Sequence, residues 1–115
     1  MNNSVNENYR STIMFQEILQ EPETITNTVN SVGGNILKAV KLIRKAKIVY
    51  VVGSVTSYHA GIVMQIGLIN DGVPAIAVRA PEFSYFTPPD NKDVLVILIS
   101  QSGESRDILV ALNLC

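Results

Sequence analysis

Two unbroken apolar runs, Ile48-Val49-Tyr50-Val51-Val52 and Val94-Leu95-Val96-Ile97-Leu98-Ile99, constrain this chain more than any other feature. A strand with one wet face alternates apolar and polar residues. A strand without alternation needs cover on both faces, as in a parallel sheet sandwiched between helices. Between these two lies a second strand, read at Pro74 to Val78, so that the Val94 run is the third. Between the first two strands, Ala60, Ile62, Val63, Ile66, Leu68 and Ile69 predict a helix that stops at Asn70-Asp71-Gly72. An irregular stretch through Pro81, Pro88 and Pro89 precedes the last strand. A final helix is expected from Glu104 to Leu114. Strands and helices in alternation with short connections give an α/β fold with a doubly wound parallel sheet and right-handed crossovers.

Ahead of the first strand the period is helical. Ile13, Met14, Ile18 and Leu19 predict a helix ending near Glu21-Pro22, where proline can open the next. That second helix buries Ile25, Val29 and Val32 up to Gly33-Gly34, and a third buries Ile36, Leu37, Val40 and Ile43. The cations Arg44, Lys45 and Lys47 suit a helix C-terminus better than an anion site. The expected organisation is a disordered polar tail over residues 1–11, helices over 12–46 and an α/β unit over 47–115.

Charge and composition exclude several classes. Nine Lys plus Arg stand against ten Asp plus Glu, with no basic stripe to meet nucleic-acid phosphates, so no nucleic acid is expected as partner. Apolar stretches break well before a membrane span, and no signal pattern opens the chain, so no membrane is expected and a cytoplasmic location is. The single cysteine, Cys115, leaves no intrachain disulfide, no cysteine-rich metal site and no well-placed nucleophile. No metal or organic cofactor is expected.

In doubly wound sheets, ligands bind beyond the carboxyl ends of the strands. Two loops at that rim share one chemistry: Ser54, Thr56 and Ser57 follow the first strand, and Ser100, Gln101, Ser102 and Ser105 follow the third. Each precedes a helix whose N-terminal amides and partial positive charge suit an anion, and hydroxyls add donors. Gly53 and Gly103 allow close backbone approach. Taken alone, either loop reads more simply as helix capping. Two on one rim, with six hydroxyls, exceed what capping needs and point to a phosphate site.

These residues carry a resemblance. Gly53-Ser54-Val55-Thr56-Ser57-Tyr58-His59-Ala60-Gly61 and Ile99-Ser100-Gln101-Ser102-Gly103-Glu104-Ser105 resemble the two signature loops of sugar isomerase (SIS) domains. Met14-Phe15-Gln16-Glu17-Ile18, Glu21-Pro22-Glu23 and Ala80-Pro81-Glu82-Phe83 are similar to segments of the glucosamine-6-phosphate synthase branch of that family. The resemblance implies a flavodoxin-like SIS fold, of which strands 2-1-3 form the N-terminal half. It implies that Thr56, Ser57, Ser100, Gln101, Ser102 and Ser105 contact the phosphate and first carbons of a sugar such as fructose 6-phosphate or glucosamine 6-phosphate. Val55 departs from the family's usual glycine, and a β-branched residue is costly at positive φ. Ser105 replaces threonine but keeps the hydroxyl.

Aldose–ketose isomerisation needs a positioned base and a ring-opening acid. The family's acidic, histidine and lysine catalysts lie in the second half of the domain and beyond, without counterpart here, so no catalytic residue is assigned. His59 is read as a packed or capping side chain, Glu104 as an N-terminal helix carboxylate and Glu82 as a structural contact. Tyr58, Phe83, Tyr85 and Phe86 are read as core or dimer packing rather than a sugar-stacking surface. The third strand would be an open apolar edge, which implies absent residues beyond Cys115 or a partner chain, with a homodimer expected. The leading reading is part of a sugar-phosphate isomerase or isomerising aminotransferase. The alternatives are a non-catalytic sugar-phosphate sensor and an assembly module whose hydroxyls serve only as caps.

Overall fold

The computed structural model describes residues 9–85 and 93–115. The polar tail before Tyr9, together with Phe86, Pro88 and Pro89, lies outside the described residues. The chain divides into two compact units, one up to Lys38 and one from Ala39 to Cys115.

In the first unit, Tyr9 to Ser11 form a turn, and Thr12 caps α1 (Ile13–Ser31) by accepting the Phe15 amide at 3.3 Å. The break expected at Pro22 does not occur: α1 runs through it as a single helix. Proline removes one amide, but on an exposed helix the carbonyl it frees can bond water. The expected burial also fails, because Ile13, Met14, Ile18, Leu19, Ile25 and Val29 are all exposed. Periodicity aligns apolar residues on a stripe without saying what covers it. After Val32, α2 (Gly33–Lys45) begins at the glycine pair and ends with Arg44 and Lys45 in its last turn, as read from the cations. Of its apolar positions Ile36, Leu37 and Val40 are exposed, and Ile43 packs in the second unit.

The second unit is built on three parallel strands in the order β2-β1-β3, with β1 at Ile48–Gly53, β2 at Ala75–Arg79 and β3 at Val94–Ile99. Between them run α3 (Thr56–Asn70) and the short α4 (Ala80–Phe83), and α5 (Arg106–Asn113) follows β3. The segment expected to be irregular after β2 is helical at α4, where Pro81 occupies a first-turn position that proline tolerates. Gly72, at φ +79°, ends α3 as the Asn-Asp-Gly signal implies.

Unbroken apolarity in β1 has its predicted cause. Val49 and Val51 pack with Ala75, Met64, Leu68 and Ile97 on one face, while Val52 packs with Val78, Phe83, Ile108 and Ala111 on the other. Gly61 of α3 lies against β1 so closely that an added Cβ would stand 3.3 Å from Val51 Cγ1. All six residues of β3 are only half-buried, since β1 flanks it on one side alone. The free side of β2 is blunted by Gln65, whose side-chain oxygen accepts the Ala77 amide. At the amino end of the sheet, Lys47 Nζ lies 2.6 Å from Asp93 Oδ2, which raises the lysine pKa through the hydrogen bond and the opposite charge. No helix among the described residues is long and apolar enough to cross a membrane.

Candidate functional site

The strand order reverses direction between β1 and β3, and both hydroxyl loops emerge there at the carboxyl ends of the strands. One cavity of about 170 Å³ lies between them. Ser54, Thr56 and Ser57 line it from the β1 side, and Ser100, Gln101, Ser102 and Ser105 from the β3 side. All seven candidate residues therefore share one cavity, with Ile99 and Ile108 beneath.

Gly53 sets the geometry of the first loop. A Cβ there would stand 2.6 Å from the Ser57 carbonyl carbon and 2.7 Å from the Tyr58 nitrogen, so only glycine lets the start of α3 fold back over the end of β1. The turn is tight: the Ser57 amide donates to the Ser54 carbonyl at 3.0 Å and the Tyr58 amide to the Val55 carbonyl at 3.2 Å. Val55 sits between them at φ 49°, ψ −116°, a region suited to glycine. Relief of that strain should outweigh the added chain entropy of glycine. Val55→Gly is therefore expected to stabilise the chain by about 1 kcal/mol, read as a higher urea midpoint. A lower midpoint would mean the backbone at residue 55 is unstrained.

In the second loop Gly103 takes φ +72°, and the Gly103 and Glu104 amides donate to Ser100 Oγ at 3.0 Å and Ser102 Oγ at 3.2 Å. Of the loop and helix-end amides expected to suit an anion, those of Ser57, Tyr58, Gly103 and Glu104 are already bonded within the chain. What remains is a set of hydroxyl protons and helix-end amides. Ser100 and Ser102 act as acceptors in these turns, so their O–H groups keep a proton to donate. Among the described residues no acceptor meets the amides of Thr56, Arg106 or Asp107. Ser100 and Ser102 hold turn amides, but among the described residues no hydroxyl of these loops caps a helix: Val55 and Ser105 are the N-cap residues of α3 and α5, and neither helix has a side-chain cap bond.

Ser54 is the outlying case. Its Oγ is buried and has no hydrogen-bond partner among the described residues, a deficit that costs about 1–3 kcal/mol until an acceptor or donor reaches it. Outside this cavity, several readings resolve differently. His59, read as packed or capping, is exposed beside the Tyr58 ring. Glu82 does make a structural contact, with its Oε1 3.6 Å from Arg79 Nη1. Phe83 is fully buried against Tyr50, whereas Tyr85 is exposed. Cys115 has its thiol pKa raised by burial, which disfavours the nucleophilic thiolate.

Sequence reasoning missed a second cavity of about 280 Å³ on the β2 side of Ser54, lined also by Tyr58, His59, Arg79 and Asp107. The Arg79 guanidinium lies 5.3 Å from the Tyr58 ring centroid. Arg79 ends β2 on the same rim, and that position was the one signal available.

Comparison with known proteins places the fold in a family. The SIS domain pattern matches residues 42–115. The isomerizing glutamine–fructose-6-phosphate aminotransferase of Sulfurisphaera tokodaii is 36% identical over 104 residues, covering 88% of this chain and 17% of the relative. That of Clostridium tetani is 36% identical over 109 residues, covering 87% and 18%. The C-terminal domain of glucosamine-fructose-6-phosphate aminotransferase from Francisella tularensis superposes with a TM-score of 0.74 at 28% identity, over 91% of this chain and 32% of that one. The chain thus spans about a sixth of the length of the curated relatives it matches.

Proposed function

The chain belongs to the SIS domain family, and from that premise we propose that it binds a hexose 6-phosphate such as fructose 6-phosphate or glucosamine 6-phosphate. The phosphate sits between the β1 and β3 loops. There Thr56, Ser57, Ser100, Ser102 and Ser105 donate hydroxyl protons, Gln101 donates its side-chain amide, and the N-termini of α3 and α5 add a favourable field. The observation that carries this reading is the meeting of all seven polar residues in one cavity, one of them, Ser54, with an Oγ that is buried and has no partner among the described residues. Such a site needs no lysine or arginine. Neutral donors at helix ends satisfy a dianion at short range and release it more readily than a fixed cation would.

The wider role we infer is one part of a cytoplasmic, homodimeric sugar-phosphate isomerase or isomerising aminotransferase. Among the described residues no carboxylate or imidazole lines the hydroxyl cavity, so a base for proton transfer between the first two carbons would come from elsewhere. That observation also keeps the non-catalytic sensor as a second reading.

Titration calorimetry with fructose 6-phosphate and glucosamine 6-phosphate, followed by an isomerase assay, separates these outcomes. Binding without turnover is expected of this chain. Turnover would show that it carries a base of its own, and absence of binding would remove the phosphosugar reading. Ser102→Ala and Thr56→Ala are each expected to weaken binding about three- to tenfold, since each removes one neutral hydroxyl donor. Unchanged affinity in both variants would return the loops to a purely structural role.

A further inference from the structure

We propose that α1 of one copy of this chain docks on α2 of a second copy, apolar stripe against apolar stripe and glutamates against cations. This inference rests on the homodimer inferred above, to which it gives a contact surface, and is independent of the phosphosugar reading.

Each of the two helices carries charge of one sign. The charged residues of α1 are Glu17, Glu21 and Glu23, whereas those of α2 are Lys38, Lys41, Arg44 and Lys45. On α1, Met14, Ile18, Ile25 and Val29 recur at helical spacing and are exposed. Glu17 lies three residues after Met14, and Glu21 lies three after Ile18 and four before Ile25, so both carboxylates flank that stripe. On α2, Ile36, Leu37 and Val40 are exposed, with Lys41 four residues after Leu37 and Arg44 four after Val40. Glu17, Glu21, Lys41 and Arg44 form no ion pair among the described residues. At Val40 the α2 stripe borders a cavity of about 540 Å³, lined also by Ile43, Arg44, Leu68 and Val73, where apolar side chains of a docking helix can insert. Asp71, the C-cap of α3, lines it too, and its like charge keeps the α1 carboxylates on the α2 side.

Charge selects which helices pair. Two copies of α1, or two of α2, would set like charges side by side, while α1 against α2 sets opposite ones. Made twice about a two-fold axis, that contact closes a dimer. Pairing within one chain is opposed by the connection, because Val32 alone joins the helices. Its amide donates to the Thr28 carbonyl at 3.2 Å and its carbonyl accepts the Asn35 amide at 2.9 Å. A helix that returns along its neighbour uses a loop of about two to eight residues. Apolar burial supplies the affinity of the docked pair, and exposed ion pairs, worth little singly, supply the choice of partner.

Sedimentation velocity on the full chain tests this, and the parent should be dimeric. Glu17→Lys with Glu21→Lys, and separately Lys41→Glu with Arg44→Glu, should each raise the dimer dissociation constant roughly tenfold or more. An equimolar mixture of the two variants should recover the parent value, because each reversed helix then meets its complement. All four side chains are exposed, and recovery on mixing shows that both variants fold. A monomeric parent would overturn the homodimer and this surface together. A dimer indifferent to both reversals, or a loss that mixing does not repair, would overturn this surface alone.

Discussion

Gly53→Ala will abolish phosphosugar binding and destabilise the chain by about 3 kcal/mol, the upper end of what a forced contact in a packed region costs. The new methyl group would stand 2.6 Å from the Ser57 carbonyl carbon and 2.7 Å from its oxygen. These are backbone atoms at the start of α3, held by the turn bonds from Ser57 to Ser54 and from Tyr58 to Val55. No side chain can rotate away to relieve the contact. The start of α3 must lift off the end of β1, carrying Thr56 and Ser57 out of the cavity they share with the second loop. Urea denaturation and calorimetry with fructose 6-phosphate read the two effects separately. A variant as stable as the parent with undiminished affinity would show that the close approach at Gly53 does not build the site.

Phe83→Ala is expected to cost about 3–5 kcal/mol, the usual range for removing a buried aromatic ring. Phe83 is fully buried, lies edge-on to Tyr50 with ring centroids 6.2 Å apart, and packs in the cluster formed by Val52, Val78, Ile108 and Ala111. Domains of this size are stable by roughly 5–15 kcal/mol, so the loss approaches the lower limit of that range. Because Ile108 and Ala111 belong to α5, the cavity left behind would also loosen the helix that follows the second hydroxyl loop. Urea unfolding of the variant should show a markedly lower midpoint. A shift worth under 1 kcal/mol would mean that the α4–α5 face contributes little to the fold.

The parallel sheet was legible because β1 and β3 are apolar without alternation, as strands covered on both faces are; β1 is buried so, while β3 is half-buried along its length. The hydroxyl loops were legible because helix-flanking Ser and Thr recur at two strand ends on one rim. Val55 was legible as a departure, and its positive φ gives that departure a physical cost. Other features depended on contacts that no local pattern encodes. Pro22 signals a boundary, yet α1 continues through it because the helix is exposed there. The stripes of α1 and α2 promised burial that their surroundings do not supply. Whether a loop amide is free or taken was equally invisible, since Ser100 and Ser102 cap the turn amides of Gly103 and Glu104 with their own oxygens. Arg79 and Asp107 line one cavity only because β2 and α5 reach the same side of Ser54, at a separation in sequence that hides this.

The most direct test is an amide NMR titration of the whole chain with fructose 6-phosphate. If, as proposed, a single phosphate bridges both loops, signals of Thr56 and Ser57 in the first and of Gln101, Ser102 and Ser105 in the second should shift together and saturate at one common dissociation constant. Shifts confined to one loop, or saturation of the two at different concentrations, would contradict a shared phosphate site.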